Sequence, residues 1–205
     1  MPASRLLPLL LIPVLALIGA CVSETVYPGD LTVGTFDFQA QANWARTDCK
    51  PDSGDFKQLV DGGFGFAGTF SRDSVDGGVW FTIDGFSRRG TYEAAGQRYT
   101  TNHRAAAQIP SCGEGCEGAQ IEETMSVVVL SDSQDRVIGS KCANLPDGGL
   151  PDGSVPGPTV NGYDAERACG ELKVVFLPGN KGCKCTTSCA AVYGVEGKRR
   201  FNGGN

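Results

Sequence analysis

Cysteines are the residues of this chain whose type and spacing most readily support chemistry, and the sequence contains nine of them. Cys183, Cys185 and Cys189 have C-x-C-x3-C spacing. Thiolates in such a run could hold zinc tetrahedrally, but structural zinc sites usually contain C-x2-C pairs, which are absent here. Disulfides are therefore favoured, and we predict no metal site. The candidate disulfide cysteines are Cys49, Cys112, Cys116, Cys142, Cys169, Cys183, Cys185 and Cys189.

Spacing suggests one pairing among the many that eight cysteines allow. Cys112 and Cys116 flank a short Gly-Glu-Gly turn and are expected to join each other. Cys49 is then expected to pair with Cys142. Cys169 and the three cysteines after it would pair among themselves.

The first 20 residues have the layout of an export signal. Arg5 supplies positive charge, residues 6–18 are apolar apart from two prolines, and Gly19-Ala20 offers the small side chains of a cleavage site. An apolar run of thirteen residues is too short for a membrane-spanning helix, which needs about 20 residues. We therefore predict a signal peptide at residues 1–20.

The segment LIGAC at residues 17–21 resembles a bacterial lipobox. The resemblance implies that the Cys21 thiol carries diacylglycerol, that the chain is cut before it, and that the new amino terminus receives a fatty acid such as palmitate. Val22 in place of aspartate implies, within that family, an outer-membrane location. The predicted partner is thus membrane lipid, held through Cys21, and the predicted address is the cell envelope.

The odd number of cysteines supports the lipid anchor. If Cys21 carries lipid, eight of the nine cysteines remain and all of them can pair. Each methylene buried in a bilayer contributes about 0.8 kcal/mol, so several acyl chains together hold a protein permanently. Lipid attachment and paired cysteines both indicate an oxidising compartment.

The charge balance excludes one class of partner. The chain has a net charge of −5, and loss of the signal, whose only charged side chain is Arg5, makes it −6. An acidic chain has no electrostatic attraction for phosphate backbones, so we predict no nucleic-acid partner.

Alternating side chains predict a mainly β fold. Within residues 31–42, Phe36, Phe38 and Ala40 share one face, as in a half-buried strand. Short strands separated by Gly, Pro and Asp turns favour an antiparallel β-sandwich, with a partly open β-barrel as the alternative. Further strands are predicted around 64–70, 79–83, 91–93, 98–104, 121–130, 136–142, 172–177 and 190–195, and one helical turn at 164–169. The unbroken apolar run 127–130 predicts a strand that is buried on both faces.

The domain organisation follows from composition. Residues 21–30 are predicted to be a tether and residues 31–205 a single disulfide-stapled β domain. Residues 143–164 contain four prolines and five glycines. Such a segment cannot continue a sheet ladder, so a long mobile surface loop is expected there.

Candidate catalytic residues are few. His103 is the only histidine, so a Ser-His-Asp site would have to use it. Glu122 and Glu123 are neighbours on a predicted strand and must point to opposite faces, which excludes a facing carboxylate pair. A hydrolase would need a pocket that joins His103 or two distant carboxylates, for instance Asp84 with Glu93. We predict no catalytic residue and no cofactor.

Aromatic residues suggest a binding role as a further alternative. Trp80 is opposite in phase to Val79 and Phe81, so it is a candidate for an exposed ring that stacks on sugars. The competing interpretation, which we favour, places Trp80 in the core. The sequence as a whole predicts a membrane-anchored envelope lipoprotein with a structural or binding role and without enzymatic activity. A glycan-binding or other ligand-binding module and an exported hydrolase are the alternatives, and a glycan or an envelope protein would be the partner.

The lipid anchor is directly testable by intact-mass measurement of the protein purified from its native membrane. We expect a chain that begins at Cys21 and carries the added mass of diacylglycerol and an amide-linked acyl chain. The Cys21→Ser variant should lose that mass and leave the membrane fraction. An unmodified Cys21 in the native protein would overturn the assignment.

Overall fold

The protein is described here by a computed structural model that covers residues 27–49, 63–73, 78–94, 96–107, 117–145, 164–179 and 186–200. These residues form eight β-strands: β1 Leu31–Ala42, β2 Phe64–Arg72, β3 Gly78–Ile83, β4 Phe86–Glu93, β5 Arg98–Ala106, β6 Gln120–Ser131, β7 Ala165–Leu177 and β8 Cys189–Arg199. A short α-helix, α1 (Asp132–Val137), and a 3₁₀ turn at Cys142–Asn144 lie between β6 and β7.

The strands form a closed antiparallel barrel in which each strand pairs with the next and β8 returns to β1. The prediction of a mainly β, antiparallel, disulfide-stapled domain is confirmed. Of the two architectures considered, the barrel is the one that forms, and it is closed. Closure leaves every strand with two neighbours, so the eight strands have no unpaired sheet edge.

Alternation along each strand decides what enters the barrel. In β1, Phe36, Phe38 and Ala40 are buried, whereas Asp37 and Gln39 between them are exposed. Successive side chains of a strand point to opposite faces, so the apolar set faces the lumen and the polar set faces solvent. The observed bounds of β1 coincide with the predicted 31–42.

Aromatic rings fill one half of the lumen, which is called the filled half below. Phe70 stacks on Phe81 with ring centroids 4.3 Å apart, and Phe38 meets Phe81 edge-on at 5.7 Å. Tyr99 lies 5.4 Å from Phe70 and 4.7 Å from Tyr92. These are the offset and edge-to-face arrangements that aromatic side chains prefer, and they add to the burial of apolar area.

Two glycines make room for this packing. A Cβ on Gly197 would lie 2.5 Å from the Phe38 ring, and a Cβ on Gly68 would lie 2.4 Å from the Phe81 ring. Each ring therefore occupies the space where a neighbouring strand has no side chain. The high glycine content thus serves packing of large rings inside the barrel as well as turns.

β6 is buried on both faces, as the sequence predicted for the run 127–130. Val127 and Val129 face the lumen, while Val128 and Leu130 face outward and are still no more than 1% exposed. Their outer cover is the segment 132–145, called the covering segment below, which packs Ile138 and Leu145 against them.

The covering segment corrects one sequence prediction. A strand was expected at 136–142, but α1 and the 3₁₀ turn occupy this region. A capping box starts the helix: the Ser131 side chain accepts from the Gln134 backbone N–H, and the Gln134 side chain accepts from the Ser131 backbone N–H at 2.9 Å. The helical turn expected at 164–169 is also wrong, because β7 begins at Ala165 and pairs with both β6 and β8.

Two disulfides are present among the described residues, Cys49–Cys189 and Cys142–Cys169. The predicted pairing of Cys49 with Cys142 is therefore wrong, as is the expectation that Cys169 and Cys189 pair only within the C-terminal group. The first bridge joins the segment that follows β1 to the first residue of β8 across 140 positions. The second fastens the covering segment to the outer face of β7.

Several predictions fall outside the described residues. They concern the signal peptide at 1–20, Cys21, the cysteines at 112, 116, 183 and 185, and most of the loop at 143–164. Among the described residues, no helix reaches the length and apolarity that a membrane crossing requires.

The glycine positions in β8 yield a matched pair of substitutions. Gly197→Ala should lower the free energy of unfolding by about 1–3 kcal/mol, since its Cβ collides with the Phe38 ring. Gly194→Ala, on the outer face of the same strand with no atom within 4 Å, should change it by less than about 0.5 kcal/mol. Urea denaturation of both variants checks this, and equal effects would contradict the packing described.

Candidate functional site

The half of the lumen that the aromatic core does not fill contains a cavity of about 240 Å³, called the lumen cavity below. It lies toward the end of the barrel where β1, β3, β5 and β7 finish and the other four strands begin. The residues that line it are Phe64, Phe66, Phe81, Ile83, Arg88, Thr101, Ile121, Glu123, Met125, Leu172, Val174 and Tyr193. Eight of these twelve are purely hydrophobic side chains, so the cavity suits an apolar occupant.

An ion pair stands at the outer part of the lumen cavity. The Arg88 Nε atom donates to the Glu123 Oε2 atom at 3.1 Å, from β4 to β6. These side chains retain 18% and 33% of their exposure, so water reaches this end of the cavity. His103 on β5 is half-buried and lies directly opposite Glu123 in the β5–β6 ladder, which places it on the same face.

The two adjacent glutamates separate as the sequence predicted. Glu123 faces the lumen, while Glu122 faces outward and pairs with Arg104 at 3.7 Å. Asp84 and Glu93 do not meet either, since Asp84 lies in the turn before β4 and Glu93 at its far end. Eight residues of strand separate them by roughly 25 Å. Among the described residues lining the lumen cavity, Glu123 is the single carboxylate.

Two hydroxyl groups at the inner part of the lumen cavity have no hydrogen-bond partner. Thr101 and Tyr193 are each about 1% exposed, and neither the Thr101 Oγ1 atom nor the Tyr193 phenol oxygen is bonded in the structure. Burial raises the pKa of Tyr193 above its usual range, so the phenol remains a neutral donor. A buried hydroxyl without a partner costs about 1–3 kcal/mol, so a native protein rarely keeps two in one place without a reason.

Strand pairing explains how these hydroxyls come to enter one cavity. Thr101 pairs with Met125, Met125 with Leu172, and Leu172 with Tyr193. The four residues form one row around the wall, with Thr101 on β5 and Tyr193 on β8. Two strands, β6 and β7, lie between them, so the two hydroxyls enter the lumen from different parts of its wall.

Trp80, the predicted ligand-binding aromatic, lies on the outer face of β3, as its phase indicated. It is only half-exposed, because the ring packs over Gly29 in the segment that precedes β1. It is therefore neither a core residue nor part of an open aromatic strip. The aromatic rings most exposed among the described residues are Trp44 at 53% and Phe86 at 75%, and both lie at the cavity end of the barrel.

A second, open concavity of about 910 Å³ lies on the outer wall beside the covering segment. Its charged side chains largely satisfy one another: Arg167 bonds to Asp135 at 2.5 Å and also to Glu196. Hydrogen bonding from Arg200 lowers the pKa of Asp37 at its border. Because these groups are already paired within the protein, this concavity is a weaker candidate than the lumen cavity.

Within the described part of the chain, one cluster brings metal-ligand atoms together. Ligand atoms of Asp48, Cys49 and Cys189 lie within 4.8 Å of one another. The two sulfurs are bonded to each other in the disulfide, so they offer no thiolate to a metal.

Sequence reasoning missed Thr101, Arg88 and Tyr193. A signal was present in the strand phase, because Tyr193 has the parity of Ala191 and Val195, which form the apolar face of β8. A hydroxyl on an apolar face marks a polar group that enters the core. The pattern within one strand does not show which other strand faces that hydroxyl.

Comparisons of the chain with models of protein families, with curated proteins and with solved structures give no match. Function is therefore inferred from the chemistry of the site itself. The lumen cavity is the place where apolar walls, unpartnered hydroxyls and an ion pair converge.

Two buried threonines test whether the hydroxyls of the cavity are unsatisfied. Thr101→Val should raise the free energy of unfolding by about 1 kcal/mol, because it removes an unpartnered buried hydroxyl. Thr69→Val should lower it by about 1 kcal/mol, since the Thr69 hydroxyl bonds to that of Thr35 at 2.8 Å. Thermal and urea unfolding measure both, and a loss of stability in Thr101→Val would show that this hydroxyl has a partner in the apo protein.

Proposed function

We propose that this protein is an exported, lipid-anchored binding protein that holds one small, largely apolar molecule in the lumen cavity. The observation that carries the proposal is the pair of buried, unpartnered hydroxyls, Thr101 and Tyr193, in the wall of an apolar cavity. A ligand that bonds to them would recover the free energy that their burial costs.

The architecture supports a single-ligand role. An eight-stranded barrel has an interior that side chains just fill or that holds one small ligand. This barrel combines a filled interior with a ligand-sized cavity. Aromatic rings fill the half around Phe70 and Phe81, and the lumen cavity lies in the half around Val174 and Ile121. The packed half stabilises the fold, so the hollow half is available for binding.

The position of the proposed anchor suits capture from the aqueous side. The first described residues, around Gly29, lie beside Arg72 and Trp80, at the filled end of the barrel. A lipid on Cys21 would therefore tether that end to the membrane. The lumen cavity is at the opposite end, which favours a ligand taken from solution over one drawn from the bilayer.

The rival roles have less support. A glycan-binding strip would need exposed rings in line, and Trp80 is partly covered by the segment around Gly29. A hydrolase would need His103 or a second acid in the cavity wall. The described lining of the lumen cavity has Glu123 as its one carboxylate and does not include His103. The role proposed is therefore binding without catalysis.

Filling the cavity tests the proposal. Val174→Trp places a large ring in the lumen cavity and should abolish binding of naphthalene, a neutral apolar probe, in equilibrium dialysis. Val175→Trp is the matched control, because Val175 lies next in β7 and points to the outer face. It should bind naphthalene as the unaltered protein does.

Circular dichroism checks that both variants are folded. If Val174→Trp does not fold, Ile121→Trp replaces it, because Ile121 enters the same cavity from β6. The protein is used as purified, in nanodiscs if it carries lipid, so that partition of the probe into lipid is equal in all samples. Equal naphthalene binding by the two β7 variants would contradict the proposed site.

A further inference from the structure

The size, wall chemistry and charge of the lumen cavity together restrict which molecules can bind in it. The inference drawn from them rests on the proposed function, since it names the ligand class of that same site. Each restriction comes from a separate observation.

Size sets the number of rings. An apolar protein cavity of roughly 150 Å³ accommodates one benzene. The lumen cavity measures about 240 Å³, about one and a half times as much. It therefore has room for two fused six-membered rings or an equivalent compact molecule, whereas a sterol or a long acyl chain would extend out of its open end into solvent.

The walls favour a flat aromatic molecule. Phe64 lies 5.7 Å from Phe66 and meets Tyr193 edge-on at 5.2 Å, and Phe66 meets Phe81 edge-on at 6.4 Å. These rings line the cavity along β2, β3 and β8, so a planar ligand would meet both ring faces and ring edges. Such contacts add to the affinity that burial of apolar area provides.

The hydroxyls require one polar group on that molecule. Thr101 and Tyr193 each offer a donor and an acceptor, and both are unpartnered deep in the cavity. A ligand hydroxyl can donate to, or accept from, either of them. A plain hydrocarbon would leave both unsatisfied, as they are in the apo protein.

Charge at the outer part of the cavity argues for a neutral ligand. Arg88 is already paired with Glu123 at 3.1 Å, and the pair has no net charge. An anionic ligand would have to displace Glu123 from Arg88, which would leave the carboxylate partly buried beside a second negative charge. That arrangement is unfavourable.

We propose that the ligand of the lumen cavity is a neutral, planar molecule of two fused rings that carries a hydroxyl group, and that Thr101 and Tyr193 recognise this hydroxyl. Three commercial probes of nearly equal shape test the hydroxyl requirement and the charge requirement separately. Naphthalene has no polar group, naphthol has the hydroxyl, and naphthoate has a negative charge at neutral pH.

Equilibrium dialysis with the protein as purified, with the Val174→Trp variant as the blank for partition into lipid, should give a clear order. Naphthol should bind about tenfold or more tightly than naphthalene, the gain expected from one or two buried hydrogen bonds. Naphthoate should bind at least about tenfold more weakly than naphthol, because of the charge it brings to Glu123.

Two tyrosine variants assign the recognition. Tyr193→Phe should reduce naphthol affinity several-fold toward that of naphthalene, because one of the two hydroxyl partners is lost, and should leave naphthalene affinity unchanged. Tyr99→Phe is the matched control, because its hydroxyl is also buried and unpartnered but does not line the lumen cavity. It should leave the affinity for both probes unchanged.

The outcomes separate the two levels of the proposal. No binding of any probe above the Val174→Trp blank would overturn the proposed function itself. Binding of naphthalene as tight as that of naphthol would keep the cavity as a binding site but overturn recognition of a hydroxyl. Tightest binding of naphthoate would overturn the neutral class and make Arg88 the anchor of an anion. Equal losses in Tyr193→Phe and Tyr99→Phe would overturn the role of Tyr193.

Discussion

Pairing between β1 and β8 is the constraint on which the rest of the structure depends. The ladder runs from Phe36 opposite Arg199 to Ala42 opposite Tyr193, and the Cys49–Cys189 disulfide fixes its end. Without this contact the eight strands would form an open sheet whose apolar face needs another cover. With it, the sheet covers its own apolar face, and the Tyr193 ring lies with its centroid 5.2 Å from that of Phe64 on β2.

Closure creates a lumen, and the side chains divide it into two parts with different roles. In the filled half, Phe38 and Phe81 lie over glycines of neighbouring strands and pack against each other edge-on. In the lumen cavity, Thr101 and Tyr193 keep hydroxyls that nothing in the apo protein satisfies. The second part lowers stability, since a buried hydroxyl without a partner costs about 1–3 kcal/mol.

Local pattern predicted much of the strand layout but failed where the chain leaves the barrel wall. The bounds of β1 and the two-sided burial of 127–130 were readable from side-chain alternation and from an unbroken apolar run. The strand expected at 136–142 is instead α1 and a 3₁₀ turn, although Ser131 and Gln134 have the spacing of a capping box. The covering segment takes this form because Val128 and Leu130 need an outer cover, and that requirement comes from the neighbouring strands.

The sequence by itself determined the mainly β character, the side of each strand that is apolar, and the number of cysteines available to pair, because these depend on residue type and on neighbours in the chain. Only the tertiary structure decided that the sheet closes, that Cys49 meets Cys189, and that Thr101 and Tyr193 face one cavity. The physical reason is distance along the chain: the side chains that form the lumen cavity lie on seven strands, and their meeting depends on strand register, which no local pattern contains.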